Sequence, residues 1–489
     1  MDPTAPLSTG IAGLDTVLRG GLPRGNLHLL QGPPGSGKTT VALQFLRTGV
    51  ALGERVLYVT LSQTAGELGK IAASHGWDLT GVDIVELYAD TDAPEAGQTI
   101  FQTADLRLDR TREAIERAID EIGPERVVYD SLLEVRLLTL DNPRYQRELV
   151  GLRAYLSERD ITGMILDTAP IGPQTHDVQS RGVVHGVVTL DKTLPAFGRA
   201  RRRIEVSKMR GVDIHDGWHD MDIRTGQGVV VFPRLAPRER PAPVASFQED
   251  LIRSGRESLD AMFGGGLEPG TTTMVVGQAG TGKSTMASLY AMAALERGED
   301  VTIFLFEERV ETFLQRCEGL GLALRGYVDA GRLALLDFNP DEVTAGEFSA
   351  IVQREAEKER LRVIVIDSFT GYMASLAHEE QALFDIQALL KYLARQRILV
   401  FLIVAHHGFL GRGDDVSRLD MSFLGDTVLL LRMSENGDRI RRDILAVKKR
   451  HGPHSLEIRE LTIEAGRIEI AAGSDAPGDP RSGVPDGVP

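Results

Sequence analysis

The chain has 489 residues, more than one ordinary hydrophobic core contains, so two domains of roughly 200 to 250 residues are expected. Hydrophobic residues make up 42% and charged residues 26%, values typical of a soluble globular protein. The formal net charge of -15 argues against nonspecific binding to DNA or RNA, because neutralising phosphates requires a basic surface.

Cysteine content and hydropathy indicate the compartment. Cys317 is the only cysteine, which excludes an intrachain disulfide and a multi-cysteine zinc site and is typical of a reducing compartment. The first residues, MDPTAPLSTG, lack the basic start and apolar core of a secretory signal. The longest apolar run, ILVFLIVA, is far shorter than the ~20 residues of a membrane helix. We therefore expect a cytoplasmic protein that does not span a membrane.

The sequence contains an internal duplication. The segment STGIAGLDTVLRGGLPRGNLHLLQGPPGSGKTT, which begins at Ser8, recurs as RSGRESLDAMFGGGLEPGTTTMVVGQAGTGKST from Arg253. Later motifs of the two copies keep nearly the same spacing, so both copies are expected to share one topology. A segment rich in proline and charge, 234–250, separates them. The sequence predicts an N-terminal domain at 1–238, a C-terminal domain at 248–470 and a disordered tail at 471–489.

Short apolar runs alternate with amphipathic stretches in each copy. In the second copy TTTMVVG, DVTIFLF, LRVIVID and ILVFLIVA are almost continuously apolar, as expected when helices cover both faces of a parallel sheet. RARRRIEVSKMRG with QGVVVF, and RIRRDILAVKKRHG with GRIEI, are typical of antiparallel hairpins. We predict an α/β chain of two tandem P-loop domains, each with a mostly parallel central sheet, helices on both faces and a C-terminal antiparallel extension.

Each copy contains a glycine-rich phosphate loop between a strand and a helix. GPPGSGKT and GQAGTGKS both fit the pattern G-x-x-x-x-G-K-[ST]. Glycines let backbone N–H groups point at phosphates, the helix N-terminus favours negative charge, and the lysine reaches the β- and γ-phosphates. We predict that both copies bind ATP; the alternative is a turn without a ligand. The predicted nucleotide-binding residues are Gly32, Pro33, Pro34, Gly35, Ser36, Gly37, Lys38, Thr39 and Thr40, and Gly277, Gln278, Ala279, Gly280, Thr281, Gly282, Lys283, Ser284 and Thr285.

Two kinds of oxygen ligand suit Mg²⁺ at these loops. Thr39 and Ser284 follow the loop lysines, where a hydroxyl coordinates the metal of bound nucleotide. Asp130 and Asp367 end apolar strands, where a carboxylate reaches the metal through water. The alternative for each aspartate is a cap of the following helix. The sequence therefore predicts a magnesium site in each copy.

The two copies differ where a catalytic base is needed. The second copy reads VTIFLFEERVETF and places Glu307 and Glu308 at the end of its next strand, where a carboxylate can orient and deprotonate the attacking water. The first copy reads RVLYVTLSQTAGEL, with Ser62 and Gln63 at these positions, and neither is a base near neutral pH. The alternative for the two glutamates is a solvated strand end. We predict hydrolysis in the second copy.

Together these motifs resemble the KaiC family of circadian-clock ATPases, a branch of the RecA superfamily. The resemblance covers residues 8 to about 470 and rests on TGIAGLDTVLRGGLPRG, both phosphate loops, SHGWDL, the EE pair and KMRG at Lys208. It implies RecA-like domains, two-tiered hexameric rings with ATP between neighbouring subunits, and a slow ATPase. It also implies autokinase and autophosphatase activity on a Ser-Thr pair in the second domain, and signalling proteins as partners.

The resemblance further implies residues that act on a neighbouring subunit. Lys208 and Arg210, and Lys448 and Arg450, match basic residues that reach a neighbour's γ-phosphate, so catalysis would require assembly. The second copy reads KKRHG rather than KMRG, a departure from the family motif. The alternative for all four is solvated charge on a hairpin.

One phosphoacceptor of the family pair is missing. The pair aligns with Ser422 and Phe423 in DMSFLGDTVLLL, and phenylalanine has no hydroxyl. Two-site phosphorylation is therefore excluded at these positions, and Ser422 is the single candidate acceptor; the alternative is an unmodified serine. His406 and His407 follow an apolar strand, where RecA-type proteins often place a γ-phosphate sensor; a hydrogen-bonded strand end is the alternative.

We therefore expect a MgATP-dependent homo-oligomeric ATPase whose first domain binds ATP and whose second domain hydrolyses it. In this hypothesis the rings couple nucleotide state to binding of protein partners. One alternative is a scaffold that binds ATP without hydrolysis. Another is a RecA-like recombination ATPase, which needs mobile basic loops facing a channel, and we find no such run in the sequence.

Overall fold

The computed structural model describes residues 5–87, 100–133, 142–168, 181–194, 199–235, 250–339, 343–374, 376, 379–405, 421–436 and 439–471, but not the side chains of 100–108, 142–144, 374, 379–382, 421, 422 and 436. The tail beyond 471, most of the interdomain segment, His406, His407 and the side chain of Ser422 lie outside this description. The chain folds into two compact units, Met1–Ala236 and Pro237–Pro489, and each unit contains one copy of the duplication.

The strands of the first unit are β1 (Leu27–Gly32), β2 (Val56–Thr60), β3 (Val82–Glu86), β4 (Arg126–Asp130), β5 (Thr162–Thr168), β6 (Gly186–Thr193), β7 (Arg201–Met209), β8 (His219–Arg224) and β9 (Gly228–Phe232). Those of the second unit are β10 (Thr272–Gly277), β11 (Asp300–Leu305), β12 (Leu333–Asp337), β13 (Leu361–Asp367), β14 (Leu399–Ala405), β15 (Thr427–Asn436), β16 (Arg439–Lys449), β17 (Arg459–Glu464) and β18 (Arg467–Ile470).

The helices of the first unit are α1 (Ala12–Val17), α2 (Lys38–Ala51), α3 (Ala65–Ser74), α4 (Ile100–Ile122) and α5 (Asn142–Glu158). Those of the second unit are α6 (Glu257–Met262), α7 (Lys283–Glu296), α8 (Val310–Gly319), α9 (Arg325–Asp329), α10 (Ala345–Ala356), α11 (Phe369–Ala374) and α12 (Glu379–Arg395). A short 3-10 helix covers Met421–Leu424.

Both units have the same sheet topology. The strand orders are β3-β2-β4-β5-β1-β6-β7-β8-β9 and β12-β11-β13-β14-β10-β15-β16-β17-β18. In the first sheet the neighbouring strands from β3 to β6 are parallel, and in the second sheet those from β12 to β15 are parallel. The strand pairs that follow β6 and β15 in each order are antiparallel. In each sheet the strand that leads into the phosphate loop lies in the middle. The carboxyl ends of the parallel strands therefore meet around that loop, where α/β sheets bind their ligands.

Continuous apolar runs form strands that are buried on both faces. β1 is buried along its whole length, and its successive side chains enter two different clusters. Leu30 packs with Phe45 of α2, whereas Leu29 packs with Ile119 of α4 on the other face. This alternation follows from the two-residue period of a strand covered by helices on both sides.

The predicted fold class is confirmed. Both sheets are mostly parallel with antiparallel C-terminal strands, and together they form two tandem RecA-like P-loop domains. The segments predicted to form antiparallel hairpins are β7 and β9 in the first unit and β16 and β18 in the second. They are antiparallel strands, but β8 lies between β7 and β9, and β17 lies between β16 and β18. Within the described part of the chain, none of the helices is both long enough and apolar enough to cross a membrane.

Candidate functional site

Each phosphate loop joins the end of a buried strand to the start of a helix. β1 ends at Gly32 and α2 begins at Lys38; β10 ends at Gly277 and α7 begins at Lys283. The first N–H groups of a helix have no acceptor within the helix. Both loops therefore present backbone donors and the positive end of a helix dipole on the same side as the lysine, which suits a phosphate group.

The residue before each helix must be glycine. Gly37 has φ 109° and Gly282 has φ 101°, a region that L side chains rarely adopt. A Cβ on Gly37 would lie 2.7 Å from Cδ1 of Ile223, and a Cβ on Gly282 would collide with Cδ1 of Ile463. The antiparallel strands β8 and β17 thus pack directly against the loops, so the C-terminal extension of each domain supports its phosphate loop.

Both loop lysines are held by their own loops. The Lys38 ammonium donates to the carbonyl oxygens of Gly32 (2.8 Å) and Pro33 (3.1 Å), and the Lys283 ammonium donates to that of Gln278 (2.8 Å). Burial lowers the pKa of both lysines, against the opposing attraction of nearby carboxylates, which for Lys38 is Asp130. A buried ammonium with few solvent partners binds strongly to an anion that enters the loop.

The groups present fit a magnesium nucleotide. The Ser36 hydroxyl is buried and has no hydrogen-bond partner among the described residues, so it remains available to a ligand. Nowhere in the described ranges do three or more His, Cys, Asp or Glu side chains form a cluster that could bind a metal by itself. Mg²⁺ at a nucleotide site takes most of its ligands from phosphate and water, so one hydroxyl, of Thr39 or Ser284, and one carboxylate suffice.

Asp367 of the second copy lies beside its loop. Burial raises the pKa of its carboxyl, against the opposing effects of the nearby Ser284 hydroxyl and of the Arg316 charge. The structure therefore brings together the two side chains that the sequence assigns to the metal in this copy.

Asp130 of the first copy is held differently. It is 7% exposed, and its Oδ2 accepts a hydrogen bond of 2.6 Å from the hydroxyl of Tyr58. Burial, together with the carboxylate, raises the pKa of Tyr58 well above its usual range, so the phenol keeps its proton. The two aspartates thus occupy equivalent strand ends, but Tyr58 donates to Asp130, whereas Ser284 and Arg316 lie near Asp367.

Glu307 and Glu308 follow β11 and have separate partners. The hydroxyl of Ser368, the residue after Asp367, donates to Glu307 Oε1, and Ser368 Oγ accepts from the Gly371 N–H at 2.9 Å. Arg316 of α8 binds Glu308 through two hydrogen bonds, Nη2 to Oε2 at 2.8 Å and Nε to Oε1 at 3.2 Å. A bidentate ion pair of this kind fixes the orientation of both groups.

The first copy lacks these groups. Ser62 is exposed, and the buried Oε1 of Gln63 accepts no hydrogen bond from any described residue. Ile71 of α3 occupies the position that Arg316 has in the second copy. No carboxylate and no guanidinium therefore stands at these positions of the first copy.

Sequence reasoning missed Arg316, Ser368 and Tyr58. Arg316 lies about two helical turns beyond Glu308 and Ser368 directly follows the strand-end aspartate, so proximity in the chain was the available signal. Tyr58 sits inside an apolar run, where a tyrosine is usually a packing residue. Its contact with Asp130 depends on the pairing of β2 with β4, which the sequence alone does not specify.

The basic residues assigned to subunit contacts lie at the ends of β7 and β16. Lys208 donates to the carbonyl oxygens of Arg181 and Val184, and Arg210 donates to that of Gly182 at 3.0 Å. In the second copy Lys448 donates to the carbonyl oxygen of Gly425 at 2.8 Å. Arg450 donates to the carbonyl oxygen of Phe423 (3.3 Å) and forms an ion pair with Asp426 (3.2 Å). The second pair therefore lies next to the segment that contains Ser422.

Phe423 is 44% exposed in the 3-10 helix that contains Ser422. It stands beside the ends of Lys448 and Arg450, which donate to the carbonyl oxygens of Gly425 and Phe423. The backbone of the candidate acceptor segment is thus on the surface of the second domain, next to two cations.

The fold and the two loops define a tandem RecA-like P-loop nucleotide-binding protein. A family model described as "ATPase: KaiC" matches residues 7–236 and 252–475. The chain belongs to the KaiC ATPase family, which confirms the resemblance found in the sequence, and it contains two ATPase domains of that family.

Several clock proteins are similar to the chain over nearly its full length. The circadian clock protein KaiC3 of Synechocystis sp. is 28% identical over 472 residues, which are 95% of this chain and 91% of that protein. The circadian clock oscillator protein KaiC of Picosynechococcus sp. is 29% identical over 474 residues, 95% of this chain and 89% of its own length. The circadian clock protein KaiC2 of Synechocystis sp. is 29% identical over 468 residues, which are 94% of this chain and 80% of that protein.

Proposed function

We propose that the chain is an ATP phosphohydrolase that hydrolyses ATP in its second domain and binds ATP without turnover in its first. One observation supports this division most strongly. Glu307, held by Ser368, stands beside Lys283 and Asp367 in the second domain, and the first domain has Ser62 in its place. Phosphate release from the intact protein tests the proposal, because a scaffold that only binds ATP releases none.

The different partners of the two glutamates support different roles. Both oxygens of Glu308 are bound by Arg316, whereas Glu307 Oε2 accepts no hydrogen bond from the described residues. A general base needs a free lone pair within reach of the water proton. We therefore assign the proton transfer to Glu307 Oε2 and a positioning role to Glu308.

The remaining residues of the second site bind and orient. The backbone amides of 277–285 and the Lys283 ammonium would hold the β- and γ-phosphates, and Ser284 with Asp367 would hold the metal. Mg²⁺, when bound with ATP, neutralises charge that develops on the phosphate oxygens. In the first domain the amides of 32–40 and the Lys38 ammonium hold the phosphates of ATP, and the Thr39 hydroxyl stands where the metal of a bound nucleotide would find a ligand. We propose domain limits of 1–238 and 248–470, with a tail at 471–489.

The position of the basic residues supports a proposal of assembly and self-phosphorylation. Lys448 and Arg450 donate to the carbonyl oxygens of Gly425 and Phe423, so both cations lie next to the 421–424 segment that contains Ser422. An ATP held by a neighbouring second domain would meet the cations and the acceptor together. We propose a homo-oligomer, a hexameric double ring, in which Lys208, Arg210, Lys448 and Arg450 act on a neighbour's nucleotide. Ser422 is the single acceptor, and the rings act in the cytoplasm as a nucleotide-dependent, clock-type switch for signalling proteins.

Native mass spectrometry of the protein with ATP and with ADP tests assembly, nucleotide content and phosphorylation together. With ATP we expect a hexamer with two nucleotides per chain and no more than one added phosphate. Ser422→Ala should remove that phosphate without changing the assembly, because the serine is not a phosphate-loop residue. A monomer in ATP would contradict the ring, and a second phosphate would contradict the loss of one acceptor.

A further inference from the structure

The Tyr58 hydroxyl and Asp130 form a buried pair beside the first phosphate loop. Tyr58 is fully buried on β2, and its neighbour on β4 is Val128, two residues before Asp130. Side chains two residues apart on a strand point to the same face, so Tyr58 points to the face on which Asp130 lies. The 2.6 Å bond is short and donated to an ionised acceptor, the strong class of hydrogen bond.

The second copy has no equivalent of this bond. Ile303 occupies the matching position on β11, beside Val365 of β13, and it has no donor. Near Asp367 stands instead the Ser284 hydroxyl, which the metal of a bound nucleotide would use. Asp367 therefore has the loop hydroxyl close to it, whereas the Tyr58 phenol donates to Asp130 from the neighbouring strand.

The charged groups around the two aspartates also differ between the copies. The second site groups three carboxylates, of Asp367, Glu307 and Glu308, with the cations of Lys283 and Arg316. The first site has Asp130 near Lys38, and Ser62, Gln63 and Ile71 replace the other charged groups. A divalent cation is attracted more strongly to the second site, because attraction increases with the local excess of negative charge.

We propose that Tyr58 makes the first site a nucleotide site with little dependence on a divalent cation, whereas the second site depends on one. The phenol occupies a lone pair of Asp130 that a metal-bound water would otherwise use, and it stabilises the carboxylate without metal. The loop amides and Lys38 then supply most of the phosphate binding. This inference rests on the proposed binding of nucleotide by the first domain.

The test measures nucleotide affinity and not turnover. The full-length Lys283→Ala chain, in which only the first site binds, is titrated with a fluorescent N-methylanthraniloyl-ATP in Mg²⁺ and in EDTA. We expect nearly equal affinities in the two buffers. Tyr58→Phe removes one oxygen from a buried ring, and it should increase the ratio of the Mg²⁺ to the EDTA affinity about tenfold, as expected for a lost hydrogen bond to a charged group.

The second site provides the matched control. In the full-length Lys38→Ala chain the affinity should fall strongly in EDTA, and Ile303→Tyr should reduce that difference. A thermal melting curve of each variant tests whether it is folded. The inference is overturned if the first site with Tyr58 loses as much affinity in EDTA as the second, or if Tyr58→Phe leaves the ratio unchanged. Absence of nucleotide from the first site in both buffers would instead overturn the proposed function of that domain.

Discussion

Glu307→Gln lowers kcat for ATP hydrolysis about 100- to 10,000-fold, the range that a general base contributes. The amide has nearly the shape of the carboxylate and can still accept the Ser368 hydrogen bond at Oε1, but it cannot take a proton from water. Nucleotide affinity should change little, because the phosphates are held by the loop and Lys283. Steady-state phosphate release and a nucleotide titration measure the two quantities separately.

Glu308→Gln is the matched control. This variant removes the negative charge from the ion pair with Arg316. The pair is only partly buried, because the side chain of Glu308 is 25% exposed and that of Arg316 is 31% exposed. We expect a smaller decrease of kcat than for Glu307→Gln, because the residue positions its neighbours and does not take the proton. Equal losses from the two variants would refute the division of roles, and unchanged turnover after removal of both carboxylates would refute hydrolysis at this site.

Lys283→Ala should abolish measurable turnover, with a loss of at least about 100-fold, since a preorganised charge at the transferring phosphate is typically worth that much. The ammonium of Lys283 donates to the loop carbonyl of Gln278 and is attracted by the carboxylates of Asp367 and Glu307. The same variant should lose nucleotide from the second domain only. Phosphate release and the number of nucleotides per chain measure these effects.

Lys38→Ala is the corresponding change in the first domain. It should remove one nucleotide per chain and leave the chemical step in the second domain intact, because Ser62 and Gln63 stand where the second domain has its two glutamates. Turnover per assembled ring is compared, so that any effect on assembly is separated from chemistry. If Lys38→Ala stopped hydrolysis in fully assembled rings as completely as Lys283→Ala, the first domain would be catalytic as well.

The sequence was sufficient to predict the fold because its signals are local and repeated. Near-continuous apolar runs such as that at β14 predict a strand buried on both faces, and the glycines at Gly37 and Gly282 predict the strand-to-helix turns. The duplication provided a second, independent instance of every element. The shared strand order of the two sheets agrees with that duplication.

The partners of the site residues could not be predicted in the same way. The bonds from Ser368 to Glu307 and from Tyr58 to Asp130 join different strands, and they depend on which strands are neighbours in the sheet. Arg316 could have been suspected from its place on the helix after Glu308, but many arginines on helices are only solvated. The contacts of Lys448 and Arg450 with the Phe423 segment likewise required the pairing of β15 with β16.

The most direct test of the division between the two domains is the identity of the nucleotides that the intact protein holds. The protein is loaded with ATP and Mg²⁺ in the cold, freed of unbound nucleotide, warmed to start turnover, quenched with acid and analysed by chromatography. We predict that one nucleotide per chain remains ATP and the other becomes ADP, and that the Glu307→Gln chain retains ATP in both domains. Conversion of both nucleotides to ADP in the unmodified chain, or of neither, would contradict the account.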